Sequence, residues 1–328
     1  MRQPTINSEI DLSALKGSLK DHRAPKGQHI VDRATGFYVW QDLRRQRDLW
    51  PYARSTRTAP QAFCEALSDA GAPIAGVNFA SQDYLGLSTH PRVKQCATKA
   101  IESYGVHSAG SAALQGNTTN SLALESALSQ FLQGREVVLY PTGWAAGYGG
   151  IQGFVRPHDH VVMDILAHSC LQEGARVSTQ NVHYYAHLKP ESAERKLKSV
   201  RERHPDAGIL LVTESLFSMH ATIPDLRALA DLCKTYKATF LVDSAHDFGG
   251  MGPDGLGAIG KYGVQDDVDI IVASFSKSFA SNGGFVSVKT KAAAEYLKYY
   301  SATHTFSNAL SPIQAATVLA SLKIVASD

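Results

Sequence analysis

The stretch DIIVASFSKSFASNGG, residues 269–284, decides how the rest of the chain is read. Residues 270–273 are apolar without interruption and mostly β-branched, as expected of a strand buried on both faces of a parallel sheet. Small polar residues, Lys277 and two glycines follow. A lysine at the end of so buried a strand has two readings. It can snorkel outward to water, or it can serve chemistry that needs an amine in a sheltered place. Ser274 and Ser276 flank it, and hydroxyls with free backbone amides make a phosphate cradle. An amine beside a phosphate anchor is what a Schiff-base cofactor requires.

Moving outward, the same kind of apolar run recurs. Strands are expected at Glu136–Tyr140, His160–Asp164, Val182–Tyr185, 208–214, Thr239–Asp243, Ile270–Ser274 and Gly284–Val288. Amphipathic helices fall between them, as at 120–132, 191–203 and 225–236. This alternation predicts an α/β fold, a mainly parallel mixed sheet flanked by helices. A glycine-rich stretch, 249–263, lies just beyond the strand ending at Asp243, where ligands bind in such sheets. The first sixty residues are polar and irregular, with one helix expected over 36–48, broken by Trp50-Pro51-Tyr52. They read as an N-terminal arm.

Composition narrows the function classes. The chain has 328 residues, 32 basic and 30 acidic, for a net charge of +2. That balance argues against a dedicated nucleic-acid binder. No apolar run approaches the roughly 18 residues of a membrane span, and the N-terminus has no apolar secretory core. The four cysteines, Cys64, Cys96, Cys170 and Cys233, are widely spaced without a CxxC pair. They suit reduced thiols in a cytoplasmic protein, and no metal site is expected.

Three further segments carry chemistry. In TFLVDSAHDFGG, Asp243 ends a strand and His246 follows three residues later. A carboxylate there can hold a pyridinium proton, or simply cap the next turn. In LYPTGWAAGYGG, a strand turns through Gly143 and Trp144 into a small-residue helix, whose first amides would attract a phosphate. This segment is neither GxGxxG nor GxxxxGK[ST]. In DILAHSCLQEG, His168 starts a helix; its ring can stack on a cofactor, or be an ordinary helix-start residue.

Together these segments, with FASQDYLGLSTHP, YGVHSAGSAALQGNTTNSLALE, TESLFSM and TFSNALSPIQAA, resemble the α-oxoamine synthases, pyridoxal 5'-phosphate enzymes of the aspartate aminotransferase fold (fold type I). The resemblance runs from about residue 78 to 322, in family order. It implies that Lys277 carries the cofactor as a Schiff base and later moves the Cα proton. Asp243 would pair with the ring nitrogen, His246 with the phenolic oxygen, and His168 with the ring face. Ser218 would lie near that same oxygen. Ser274 and the amides of Gly143 and Trp144 would hold the phosphate, with Thr305 reaching the partner's phosphate across a homodimer. The implied reaction joins an amino acid to an acyl thioester, on CoA or an acyl-carrier protein, with loss of CO₂, to give an α-amino ketone.

Departures from the family pattern cluster around the substrate. Asp83 precedes Tyr-Leu-Gly-Leu where most members have Asn, and a carboxylate there would repel a substrate carboxylate. Ala112 follows Gly110-Ser111 where many have Arg, and Ser218-Met219-His220-Ala221 replaces S-M-D-G. Asp83, Ser111 and Arg54 are therefore the substrate candidates. The pattern looks like the synthases of polyketide, prodiginine or saxitoxin-type pathways, which are fed by carrier proteins. The alternatives are another fold-type-I enzyme, such as an aminotransferase or lyase, and a non-catalytic partner subunit. The expected organisation is an arm over 1–60, a large cofactor domain over 61–300, and the start of a truncated small C-terminal domain over 301–328.

Overall fold

The computed structural model of the protein describes residues 16–252 and 254–327. The first fifteen residues of the expected arm, Pro253 of the glycine-rich stretch and Asp328 lie outside the described residues. Contacts divide the chain into one unit ending at Phe79 and a second starting at Ala80.

The described part of the first unit holds helix α1 (Thr35–Arg45) and three short strands, β1 (Ser55–Thr56), β2 (Phe63–Leu67) and β3 (Pro73–Val77). The helix ends before Pro51 is reached, and Asp48 turns the chain with φ +55°. The strands form an antiparallel sheet in the order β1-β2-β3, which the polar reading of this region did not anticipate. Its alternation is weak, since FCEAL and PIAGV bury few side chains and neither strand has a fully buried residue. The turn between them, with Gly71 at φ +82°, was the available hairpin signal.

The second unit starts with helices α2 (Pro91–Tyr104) and α3 (Thr119–Phe131). Seven strands follow: β4 (Glu136–Tyr140), β5 (His160–Asp164), β6 (Val182–Tyr185), β7 (Ile209–Glu214), β8 (Thr239–Asp243), β9 (Ile270–Ser274) and β10 (Gly284–Val288). Between them run α4 (Gly143–Gln152), α5 (Ser169–Ser178), α6 (Pro190–Arg203), α7 (Leu226–Tyr236) and α8 (Gly257–Tyr262). Helices α9 (Lys291–Tyr300), α10 (Ala302–Thr305) and α11 (Pro312–Val325) complete it. The sheet order is β4-β10-β9-β8-β7-β5-β6. Strand β10 runs antiparallel to both neighbours, and the pairs β5–β6, β5–β7, β7–β8 and β8–β9 are parallel.

The unbroken apolar strands have a simple cause. Alternate residues enter two different cores, one on each face of the sheet. Phe240, Val242, Ile271 and Phe285 join one; Leu241, Val272, Val286 and Met163 join the other. Period-two alternation is present, but both faces are apolar.

The parallel arrangement brings the carboxyl ends of β4, β5, β7, β8 and β9 to one edge, where antiparallel β10 begins. Asp247, just beyond β8, ties this edge together. Its wholly buried carboxylate accepts from Ser215 Oγ at 2.6 Å and from the amide of Ala258 at 2.7 Å. Gly257, at φ +63°, allows the approach, for a Cβ there would sit 2.3 Å from that carboxylate. Asp247→Ala leaves the buried Ala258 amide unpaired and the Ser215 hydroxyl with only the Asp243 carbonyl at 3.2 Å, so we expect a loss of about 1–3 kcal/mol in urea unfolding followed by circular dichroism.

Candidate active site

Each strand end contributes one side chain or turn to a common cavity of about 250 Å³. After β4, Thr142 caps α4, its hydroxyl accepting from the amide of Ala145 at 3.0 Å. That leaves the amides of Gly143 and Trp144, on the cavity wall, without a hydrogen bond to the described residues. Ser274, at the end of β9, faces them so closely that a Cβ on Gly143 would lie 2.4 Å from its Oγ. The Ser274 hydroxyl meets Ser276 Oγ at 2.8 Å. Two helix-start amides and two hydroxyls thus converge, a donor set that matches a phosphate.

After β5, His168 caps α5, its Nδ1 accepting from the amide of Cys170 at 3.3 Å. Its own amide donates to Glu214 Oε1 at 2.7 Å. The ring is exposed on the cavity wall, with a face open for stacking. Asp243 ends β8, nearly buried, and accepts from the amide of Ala245 at 2.9 Å. Glu214 and Asp243 are register partners on adjacent parallel strands, so their carboxyls share one face of the sheet. Lys277 lines the same cavity and has no hydrogen bond or ion pair to the described residues. Its loop is closed behind it: the Phe275 amide donates to Gly283 O at 2.9 Å and the Ser281 amide to Phe275 O at 3.2 Å.

The site shifts its titratable groups strongly. Burial, reinforced by Asp243, pushes the Glu214 carboxyl up to about 9. Burial also raises Asp243, but the Ala245 amide, Lys277 and His168 oppose the rise. Two buried carboxyls side by side thus hold a proton between them rather than ionise together. Burial lowers the Lys277 amine, against the pull of Asp243. His246 is pushed down to about 4 by burial, with Lys277 and His168 adding to it. Perturbed acids, base and imidazole gathered around one cavity are a pattern that reaction sites show.

Lys277, Asp243, His168, His246, Ser274, Gly143 and Trp144 line one cavity. Ser218 lines an adjoining cavity of about 300 Å³, which also has His246 in its wall. Asp83 spends its carboxylate locally, accepting from the amides of Leu87 at 3.0 Å and Ser88 at 3.1 Å and from the Ser88 hydroxyl. Ser111 and Thr305 meet each other: the Ser111 hydroxyl donates to Thr305 O at 2.7 Å, while the Thr305 hydroxyl donates to Lys298 O at 3.0 Å. Arg54 is exposed in the first unit, next to β1. From the glycine-rich stretch, Gly250 and Met251 reach the adjoining cavity.

Sequence reading gave no site role to Tyr84, Cys170 or Asn282. Cys170 and Asn282 line the cavity, and the Tyr84 hydroxyl lies 2.9 Å from His246 Nδ1. Glu214 was seen only as part of a motif. Its signal was there, a carboxylate ending a wholly apolar strand beside the one ending at Asp243.

Residues 74–326 match the family described as aminotransferase class I and II. A serine palmitoyltransferase from Bacteriovorax stolpii is 35% identical over 248 residues, 76% of this chain and 58% of that protein. An 8-amino-7-oxononanoate synthase from Lysinibacillus sphaericus is 34% identical over 234 residues, 71% of this chain and 59% of that protein. The chain thus spans about three fifths of the length of these relatives. The solved serine palmitoyltransferase of Sphingomonas wittichii superposes with a TM-score of 0.83 at 25% identity, covering 91% of this chain and 73% of that one.

A carboxyl raised in the folded state favours folding while protonated and loses that advantage as pH rises through its folded value. Unfolding midpoints of the wild-type chain should therefore fall from pH 5 to pH 9 more steeply than those of Glu214→Gln, with a slope difference of up to about 1.4 kcal/mol per pH unit. Parallel curves would show that Glu214 is ionised throughout.

Proposed function

This chain belongs to the aminotransferase class I and II family, in its α-oxoamine synthase branch, and from that membership we propose that it uses pyridoxal 5'-phosphate to condense an amino acid with an acyl thioester, with loss of CO₂. The observation that carries the reading is the convergence on one cavity of a free lysine amine, a buried strand-end carboxylate and a phosphate-sized donor cradle. The cofactor fits the residues present. Ser274 with the Gly143 and Trp144 amides would hold its phosphate, Asp243 its ring nitrogen, His168 its ring face and His246 its phenolic oxygen. Bound there, the cofactor supplies an electron-accepting ring that stabilises negative charge at the amino-acid Cα.

The chain's own residues do the rest. Lys277 anchors the cofactor, then takes the Cα proton as a free amine. Its burial favours that uncharged form. Asp243 keeps the ring nitrogen protonated. Burial raises its affinity for protons, and a positive ring beside it would compensate the buried charge and reverse that rise. A proton held by the Glu214–Asp243 pair spares the site a second negative charge, and Glu214 fixes the His168 backbone.

The acyl donor is a thioester of CoA or of an acyl-carrier protein. Asp83, Ser111 and Arg54 are the substrate candidates, with Asp83 acting through the turn it caps. We also propose a homodimer, with Thr305 near the partner's phosphate. In support, Leu114 and Phe306 are each 88% exposed, near the Ser111–Asn308 bridge. Free cysteines suit a cytoplasmic setting.

Release of free thiol should require both an amino acid and an acyl thioester. A keto acid formed from the amino acid alone would assign an aminotransferase instead. Lys277→Ala should lose the yellow colour of the loaded protein and slow exchange of the Cα proton, followed by NMR in deuterated water, by about 100-fold or more. Asp243→Asn should keep cofactor uptake but lose that exchange. A colourless wild type unable to take up the cofactor would favour the non-catalytic partner.

A further inference from the structure

Tyr84 and His246 come from segments far apart in sequence and meet at the wall between two cavities. The Tyr84 hydroxyl lies 2.9 Å from His246 Nδ1, and the rings stand 6.2 Å apart, tilted by 42°. His246 lines both the Lys277 cavity and the adjoining one, and Tyr84 lines the second. The other imidazole nitrogen, Nε2, has no hydrogen bond to the described residues.

A contact between a phenol and a neutral imidazole has a preferred direction. The phenol oxygen is a weak acceptor and its O–H a good donor, while the unprotonated imidazole nitrogen is a strong acceptor. Both partners are in the required state. Burial raises the Tyr84 hydroxyl, which keeps its proton. His246, pushed down to about 4, is uncharged near neutral pH and carries a single N–H. With Nδ1 accepting from Tyr84, that hydrogen resides on Nε2.

We propose that Tyr84 is a positioning residue that holds His246 in its Nε2–H form, making the ring a fixed donor to an oxygen acceptor bound beside Lys277. The identity of that acceptor as the cofactor's phenolic oxygen rests on the function proposed above; the tautomer does not. Asp83 contributes to the arrangement. By capping the turn at Leu87 and Ser88 it holds the backbone beside Tyr84. The departure from the family pattern at Asp83 thus sits next to the group that orients His246.

The test is imidazole ¹⁵N NMR on the protein without cofactor, comparing wild type with Tyr84→Phe. Tyr84 is 48% exposed and the substitution keeps the ring, so the fold should persist. Wild type should show His246 Nδ1 unprotonated and Nε2 protonated. Tyr84→Phe should move the Nδ1 resonance toward that of a tautomer mixture. A protonated Nδ1 in wild type would overturn the proposal without any variant, and so would an Nδ1 resonance unmoved by Tyr84→Phe. Titration with pyridoxal phosphate separates this from the reading it rests on. The variant should bind about fivefold more weakly, the effect of one degraded hydrogen bond. A shifted tautomer with unchanged affinity would uphold the Tyr84–His246 assignment and remove His246 from the cofactor.

Discussion

Two carboxylates, Glu214 and Asp243, end neighbouring parallel strands in register, both close to buried. Two negative charges cannot coexist there at low cost. One proton held by the pair resolves the conflict, and the remaining negative charge is left to be compensated by a cation in the cavity. The rest of the site is arranged around that constraint. The Glu214 carboxyl spends an oxygen on the His168 amide, and the His168 ring shares its wall with His246, whose own charge is suppressed in turn.

Much of this architecture was legible in the sequence. Apolar runs such as Thr239–Asp243 and Ile270–Ser274 coincide with strands because burial on both faces leaves no room for polar interruptions. The helices between the strands shifted by a residue or so at their ends, where caps such as Asp225 and Thr118 take over from apolar spacing, while the helix expected over 36–48 ends at Arg45. The three-stranded sheet of the first unit was invisible for the opposite reason. Its strands are short and largely exposed, so burial imposes little pattern on them.

Within the site, residues that announce themselves by type were easier to find than those that act through a neighbour. Lys277, Asp243 and His168 are conspicuous at the ends of apolar strands or the start of a helix. Tyr84 sits in a polar turn 162 residues from His246, and only the fold joins them. Asp83 shows how a sequence departure can mislead. As a substrate ligand its charge is a difficulty; as a turn cap it meets three donors and the difficulty disappears.

The loop that carries Lys277 is pinned at both ends, by the hydrogen bonds between Phe275 and Gly283 and between Ser281 and Phe275. It connects strands paired in strict antiparallel register, so its backbone has little freedom to swing. The amine can still travel, because four methylene groups separate it from that fixed frame. Rotation about such bonds takes picoseconds to nanoseconds, whereas opening a packed loop is orders of magnitude slower. A group that must let go of one partner and return for the next can therefore do so by torsion alone, and the frame keeps its place for every round.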